Sequence, residues 1–298
     1  MPDARTADAP TTRLATKPLT GACGAEIEGV DLTRPLDDGV KRALRQALRD
    51  HLVIYMAGQD VTREQHLAFA EVFGPVMRIP HILSVEGYDD VQIVRRDAAD
   101  KEAYVTGGNW HTDSTYLECP PSAVVMRGIT IPDVGGDTLF ANTYLAYEAL
   151  SPAMQRMLSS LNAVHSASWL FGSEALKRRK GYSHAKAYAH VKEMDVADGD
   201  KEVVHPVVCS HPESGRKNVY VNRVYVRRFE GMTEDESRPI LQFLFDHLAR
   251  PEFTCRVRWR GNQMLVWENR FSMHRAIGDY PGKDRYLERV TVGGPRPV

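Results

Sequence analysis

The sequence predicts a mainly β protein with flanking helices, a jelly roll or related barrel. Three observations point there. Strand-like runs outnumber helical ones, and they are short and turn-linked, as in double-sheet β architectures. Residues 253–259 alternate without a break: Phe253, Cys255, Val257 and Trp259 are apolar, and Thr254, Arg256 and Arg258 between them are polar. That is the period of a strand with one wet face. Helical periodicity gathers near the N-terminus and in insertions between strands. The mouth of such a roll is where a small ligand sits.

Composition narrows the functional classes. The 298 residues are 43% apolar and 26% charged, as in an ordinary soluble globular protein. A net charge of -1 speaks against a nucleic-acid reader, which needs a basic excess. No run approaches the length of a membrane span, so no membrane partner is expected. Residues 1–17 lack an apolar core segment and read as a disordered lead-in to one domain over 18–298. Cys23, Cys119, Cys209 and Cys255 are scattered, which suits a reducing, cytoplasmic setting. A homo-oligomer is expected.

Taken in order, Leu19 to Leu32 reads as short strands and turns. Asp37-Asp38 opens a helix whose stripe is Val40, Ala43, Leu44, Ala47 and Leu48. Leu52 to Met56 is a buried strand. Thr62 and Gln65 form a capping box for a helix that stops at Gly74-Pro75. Val91 to Val94, Ala123 to Met126 and Leu139 to Ala141 are strands. Thr143 caps a helix, and Ser151-Pro152 restarts it, with Met154, Met157, Leu158 and Leu161 as its buried face. Trp169 to Lys201 is long and irregular, the form of a lid; His184 and His190 within it are expected in solvent. His205 to Ser210 and Asn218 to Asn222 make a hairpin around residues 212–215. A second capping box, Thr233 with Glu236, starts a helix that turns Ile240, Leu241, Leu244, Phe245 and Leu248 inward. Met264 to Trp267 is an apolar strand, a loop carries His274, and Arg285 to Val292 is the last strand.

The chemistry concentrates at Asn109 to Tyr116. His111 and Asp113 stand two apart, so on an extended strand they share a face. One imidazole beside one carboxylate is two thirds of the facial triad that holds non-haem Fe(II) with open positions. The third ligand must come from elsewhere. His274 is best placed, with His165 and His205 as alternatives by count. His211-Pro212-Glu213 has a similar form but falls on a turn tip, where the two side chains need not share a face. His81 reads as a core or surface histidine, with a place in the pocket as the alternative. Arg223, Arg227 and Arg228 read as a solvated face. Arg285 and Arg289 stand four apart on a strand and share a face about 13 Å long. In isolation they would pair with Asp284 and Glu288. Beside a metal-ligand candidate they read as carboxylate clamps.

Together, His111, Asp113, Thr138 within Gly135 to Thr138, and His274 followed by Arg285 and Arg289 resemble the taurine dioxygenase family of Fe(II)/2-oxoglutarate-dependent oxygenases, from about Leu19 to Gly294. Within it, residues 110–115, 120–127, 253–259 and 285–289 resemble the aryloxyalkanoate dioxygenases of the (R)-dichlorprop type. The resemblance implies a double-stranded β-helix, Fe(II) on His111, Asp113 and His274, and 2-oxoglutarate on Arg285 and Thr138. Arg289 would face the acid of a small anionic substrate. Gly107 stands where taurine enzymes carry an asparagine that meets substrate, a departure that argues against taurine. With O2 as oxidant, the implied reaction hydroxylates the carbon next to the ether oxygen of a 2-phenoxypropionate, giving a phenol, a 2-keto acid, succinate and CO2. Rival readings are an enzyme for an alkylsulfonate, alkylsulfate or other small carboxylic acid, and a non-catalytic jelly-roll binding protein. A nucleic-acid demethylase is disfavoured by charge.

Overall fold

A computed structural model describes residues 14–79, 81–100, 105–175 and 196–298. Most of the expected lead-in, His184, His190 and the middle of the expected lid lie outside the described residues. The strands, in chain order, are β1 (Ala15–Pro18), β2 (Ala25–Glu28), β3 (Val53–Met56), β4 (Ser84–Val85), β5 (Tyr88–Arg96), β6 (Ala123–Thr130), β7 (Thr138–Asn142) and β8 (Asn162–Ser166). There follow β9 (Glu202–Pro206), β10 (Val208–Ser210), β11 (Lys217–Val219), β12 (Val226–Phe229), β13 (Thr254–Val257), β14 (Met264–Glu268), β15 (Ser272–Ala276) and β16 (Arg285–Val292). Among these, eight form one sheet in the order β1-β2-β3-β14-β6-β16-β5-β4. Two three-stranded sheets, β13-β7-β15 and β12-β8-β9, and the hairpin β10-β11 complete the architecture. It is a mainly β jelly roll, the double-stranded β-helix expected.

Period-two alternation sets the layers. On β14, Met264 and Val266 face the helices α1 (Asp38–His51) and α2 (Arg63–Ala70), in one core with Leu44, Leu48 and Phe69. The alternate residues Leu265 and Trp267 face inward, in the core shared by Phe140 of β7, Val257 of β13 and Leu287 of β16. Trp267 is 1% exposed, and truncating such a residue to Ala costs about 3–5 kcal/mol. The same alternation on β16 puts Arg285, Leu287 and Arg289 on the inner face and Glu288 outside. Glu288 meets Arg63 of α2 at 2.6 Å, so neither expected surface pairing of the two inner arginines forms with it; Asp284 instead accepts from the Ala98 amide.

Helices start at their expected caps except Thr143–Glu148, which is capped by Asn142, whose side chain accepts from the Tyr144 and Leu145 amides, and not by Thr143. The Asp37 carboxylate accepts from the Val40 amide, and both capping boxes, Thr62 with Gln65 and Thr233 with Glu236, close reciprocally. The helix Glu234–Leu248 buries Leu241, Leu244 and Leu248. α2 ends at Ala70, before Gly74. Two short helices, α3 (Thr143–Glu148) and α4 (Pro152–Ser159), follow β7; α4 buries Leu158 but leaves Met157 39% exposed, because eight residues present only one inward stripe. Among the described residues no helix is long and apolar enough to cross a membrane, and all four cysteines are free thiols.

Three expectations are corrected. The lead-in does not run to residue 17: Ala15–Pro18 pair with β2, and Lys17 pairs with Glu28 at 2.5 Å. His274 lies on β15, not in a loop, because β15 pairs antiparallel with β7 and sets His274 opposite Phe140. His111 and Asp113 do not share a strand. His111 makes a single bridge, and a turn with Ser114 at φ 54° follows at once.

Candidate active site

The bridge made by His111 is to His274. Each amide donates to the other's carbonyl, at 3.0 and 2.8 Å, which sets the two side chains abreast. The rings lie 4.1 Å apart. Asp113 is held by the buried Asn269, whose amide oxygen accepts from the Asp113 amide while its NH2 donates to the Asp113 and Pro121 carbonyls. Thr112 adds a bond to the Ser272 carbonyl at 3.0 Å. The turn is thus tied to the segment leading into β15. Asp113 Oδ1 then stands 3.4 Å from His111 Nε2 and 3.9 Å from His274 Nε2.

These three ligand atoms lie within 4.8 Å of one another, the one such group that could hold a metal ion among the described residues. The His111 Nδ1–H donates to the Asn109 carbonyl at 2.8 Å, which leaves the Nε2 lone pair for a metal. Burial, then His111, pushes the His274 ring down to about 3 against the pull of Asp113. Burial alone would raise the Asp113 carboxyl, but His274, His111 and Arg289 outweigh it and hold that group well below the usual carboxylate range. A neutral imidazole and an ionised carboxylate are the protonation states a metal requires. Two nitrogens and one oxygen with open space before them suit non-haem Fe(II).

The same cavity is lined by Arg285, Thr138, Arg289 and Gly107. Arg285 is 6% exposed and its Nε has no hydrogen-bond partner among the described residues. Burial lowers its pKa, opposed by nearby Tyr280 and Asp137, but a guanidinium keeps its proton. The Asp137 carboxylate is drawn instead to Arg256 at 2.6 Å, so Arg285 is a buried cation in want of an anion. Gly136, at φ 75°, passes so close that a Cβ there would stand 3.1 Å from Arg285 Cδ and Nε. Thr138 Oγ accepts from the Trp259 indole N–H at 2.9 Å, leaving its own proton to donate into the cavity.

Arg289 differs from expectation. Its Nε and Nη2 hold Gln92 Oε1 at 3.2 and 3.0 Å, and its Nη1 reaches Asp113 Oδ2 at 3.4 Å. Gly107, at φ 77°, leaves the space beside His111; a Cβ would come 3.4 Å from His111 Cε1. Ile82, Trp169, Leu170, Val224 and Tyr225 supply apolar wall. The described ends of the expected lid are joined, since Asp200 accepts from the Ser173 amide and hydroxyl.

The other candidates go elsewhere. His165 and His205 are fully buried and bond Thr115 Oγ and the Leu117 carbonyl, behind the Asp113 turn. His211 accepts from the Glu213 and Ser214 amides at the hairpin tip, while Glu213 pairs with Arg49. Arg223 pairs with Asp246 and Arg228 with Glu202; Arg227, more buried, donates to Ser168 Oγ. His81, read first as core or surface with the pocket as the alternative, is buried and lines the cavity. Burial, then Arg289, pushes its ring down to about 4. Asn269, Gln92 and Trp259 were missed; no local pattern marks a residue whose partners are remote in sequence.

A jelly roll with a buried His–Asp–His trio facing an orphaned arginine is the architecture of a non-haem iron oxygenase that takes an acidic co-substrate. A family described as "Taurine catabolism dioxygenase TauD, TfdA family" matches residues 15–291, and the chain belongs to it. It is an alpha-ketoglutarate-dependent dioxygenase whose cofactors are Fe(II), 2-oxoglutarate and O2. Among similar proteins, an alpha-ketoglutarate-dependent sulfate ester dioxygenase of Pseudomonas putida is 33% identical over 100% of this chain and 96% of its own. An alkylsulfatase of Acinetobacter baylyi is 32% identical over 96% and 86%. An (S)-phenoxypropionate/alpha-ketoglutarate-dioxygenase of Sphingobium herbicidovorans is 30% identical over 87% and 88%. The crystal structure of a taurine dioxygenase from Burkholderia xenovorans superposes with a TM-score of 0.79, at 33% identity over 96% of this chain and 93% of that one.

Proposed function

We propose that this chain hydroxylates the carbon next to the bridging oxygen of a small organic anion with an apolar tail, sulfate esters first. The observation that carries the reading is the pair of inward cations on β16. Among the described residues Arg285 has no anionic partner, and Arg289 reaches the same cavity, so the site has room for two acids. His111, Asp113 and His274 would hold Fe(II), which with 2-oxoglutarate supplies the oxidation when bound. Arg285 takes the far carboxylate of 2-oxoglutarate, with the Thr138 hydroxyl donating beside it. Arg289, with His81 near it, takes the substrate anion. Trp169, Leu170, Val224 and Tyr225 hold the tail and exclude water, and Gly107 leaves space for the reacting carbon beside His111.

One substrate, one 2-oxoglutarate and one O2 give hydroxylated product, succinate and CO2. On a sulfate ester that product releases sulfate and an aldehyde. Sulfate esters come first because the two relatives named for them match at higher identity and over more of this chain than the phenoxypropionate enzyme. A second reading, an aryloxyalkanoate cleaved to a phenol and a 2-keto acid, is favoured by the aromatic side chains Tyr116, Trp169 and Tyr225 on the cavity wall. The test is succinate release with Fe(II), 2-oxoglutarate, O2 and either hexyl sulfate, (R)- or (S)-2-phenoxypropionate, or taurine. Hexyl sulfate is expected to be fastest and taurine slowest. Phenol from a phenoxypropionate outpacing sulfate release would put the second reading first. Fastest turnover of taurine would sink the apolar-tail reading.

A further inference from the structure

Tyr116 closes the turn that Asp113 opens. It is 6% exposed, with its ring against Tyr225 at 5.1 Å and Phe171 at 6.5 Å. Its hydroxyl stands 3.0 Å from His81 Nε2. His81 comes from a remote part of the chain and packs on Phe171 at 4.6 Å, so neither ring is free to turn away. Burial is the main effect that raises the Tyr116 pKa, and the phenol keeps its proton. Among the described residues His81 Nε2 is the one hydrogen-bond partner of the buried phenol, so the phenol's proton goes to it. A neutral imidazole that accepts at Nε2 carries its hydrogen on Nδ1. Among the described residues His81 Nδ1 has no hydrogen-bond partner, and the ring lines the cavity within the electrostatic reach of Arg289.

We propose that the Tyr116 hydroxyl is a positioning group that fixes the tautomer of His81, so that the His81 Nδ1–H is offered to the substrate anion beside Arg289. This rests on the reading above that the anion binds at Arg289. Without the phenol proton, the imidazole is free to carry its hydrogen on Nε2 and meet the anion with a lone pair. An anion then loses a donor and gains a repulsive neighbour, whereas 2-oxoglutarate at Arg285 feels neither change.

The experiment is a double-mutant cycle with the Fe(II)-loaded protein, pairing Tyr116→Phe with His81→Asn and using hexyl sulfate as substrate. The Asn side chain puts an amide near the Nδ1 position and has no tautomer to set. Tyr116→Phe is expected to raise the substrate KM about 3- to 10-fold, the loss of one hydrogen bond, with kcat and the 2-oxoglutarate constant changed less than about twofold. In the His81→Asn background it should add nothing. An equal KM rise in both backgrounds would make Tyr116 a packing residue and overturn the proposal, as would an unchanged KM in the single variant. A measurement on the unmutated chain guards against a variant that fails to fold. Nitrogen-15 NMR of the protein loaded with diamagnetic Zn(II) should find the His81 hydrogen on Nδ1; a hydrogen on Nε2 overturns the proposal. If the unmutated enzyme turns over a neutral analogue as fast as the anion, the anion reading itself has failed, and that outcome is distinct from a wrong tautomer.

Discussion

Arg289 Nη1 stands 3.4 Å from Asp113 Oδ2, so a cation that lines the cavity also touches the carboxylate of the His–Asp–His trio. A positive charge there draws electron density from a metal-ligand candidate and orients its second oxygen. If Arg289 takes the substrate anion, as proposed, substrate binding and metal binding are coupled through one side chain. Gln92, paired with Arg289 across β5 and β16, keeps the guanidinium in place.

Replacing Arg289 by Gln is expected to act twice. Removing one partner of a buried charge pair costs about 2 kcal/mol or more, or roughly 30-fold in a binding constant. The substrate KM should rise by that order, and the Fe(II) concentration for half-maximal activity should rise too, while the 2-oxoglutarate constant stays put. Methylating a carboxylate substrate should reproduce the first effect without the second. If only the iron requirement moves, Arg289 supports Asp113 and does not bind substrate.

Arg285→Gln tests the other cation. A charge-assisted bond is worth about 1.5–3 kcal/mol, so the 2-oxoglutarate requirement should rise by about one to two decades. The substrate KM measured at saturating 2-oxoglutarate should hardly change. A titration with an unaltered 2-oxoglutarate constant would take this role away from Arg285.

Alanine at His111, Asp113 or His274 should abolish turnover and bound iron while the circular dichroism spectrum persists, because an open site does not hold the sheets together. Alanine at His205, which bonds the Leu117 carbonyl behind the Asp113 turn, should lower stability but leave iron bound one to one. Full activity in the His274 variant would mean that another group completes the trio. Anaerobic Fe(II) with 2-oxoglutarate should add a weak charge-transfer colour to the unmutated protein alone.

His66 sets a pH dependence of stability. It is 0% exposed, bonds the Val125 carbonyl at 3.1 Å, and burial pushes its pKa from 6.5 to about 4. The folded pKa lies below the unfolded one, so the unfolded chain binds more protons between the two values. This stability is complete above about pH 6.5 and is lost as pH falls towards 4, by about 3 kcal/mol at most. Urea unfolding from pH 7.5 to 4.5 should show that decline. His66→Phe should be less stable at pH 7.5 yet fall less steeply on acidification; an unchanged slope would locate the proton uptake elsewhere.

Much was legible without coordinates because the forces behind it act over a few residues. Thr62 with Gln65 and Thr233 with Glu236 start helices since their bonds close within four positions. The alternation on β14 and β16 names inner and outer faces, and so the shared face of Arg285 and Arg289, before any partner strand is known. His111 and Asp113 were recognisable for their chemistry, although they lie on a bridge and a turn where a strand was expected.

What only the tertiary structure decided is which distant residues meet. The choice of His274 over His165 or His205 follows from the backbone bridge between His111 and His274, formed when β15 pairs with β7. The places of His81 against Tyr116, Asn269 around Asp113, and Arg289 between Gln92 and Asp113 have the same origin. Caps and periodicity are properties of a short segment, but strand pairing across the chain is selected by the burial of the whole core. Residues that derive their role from that pairing carry no local mark of it.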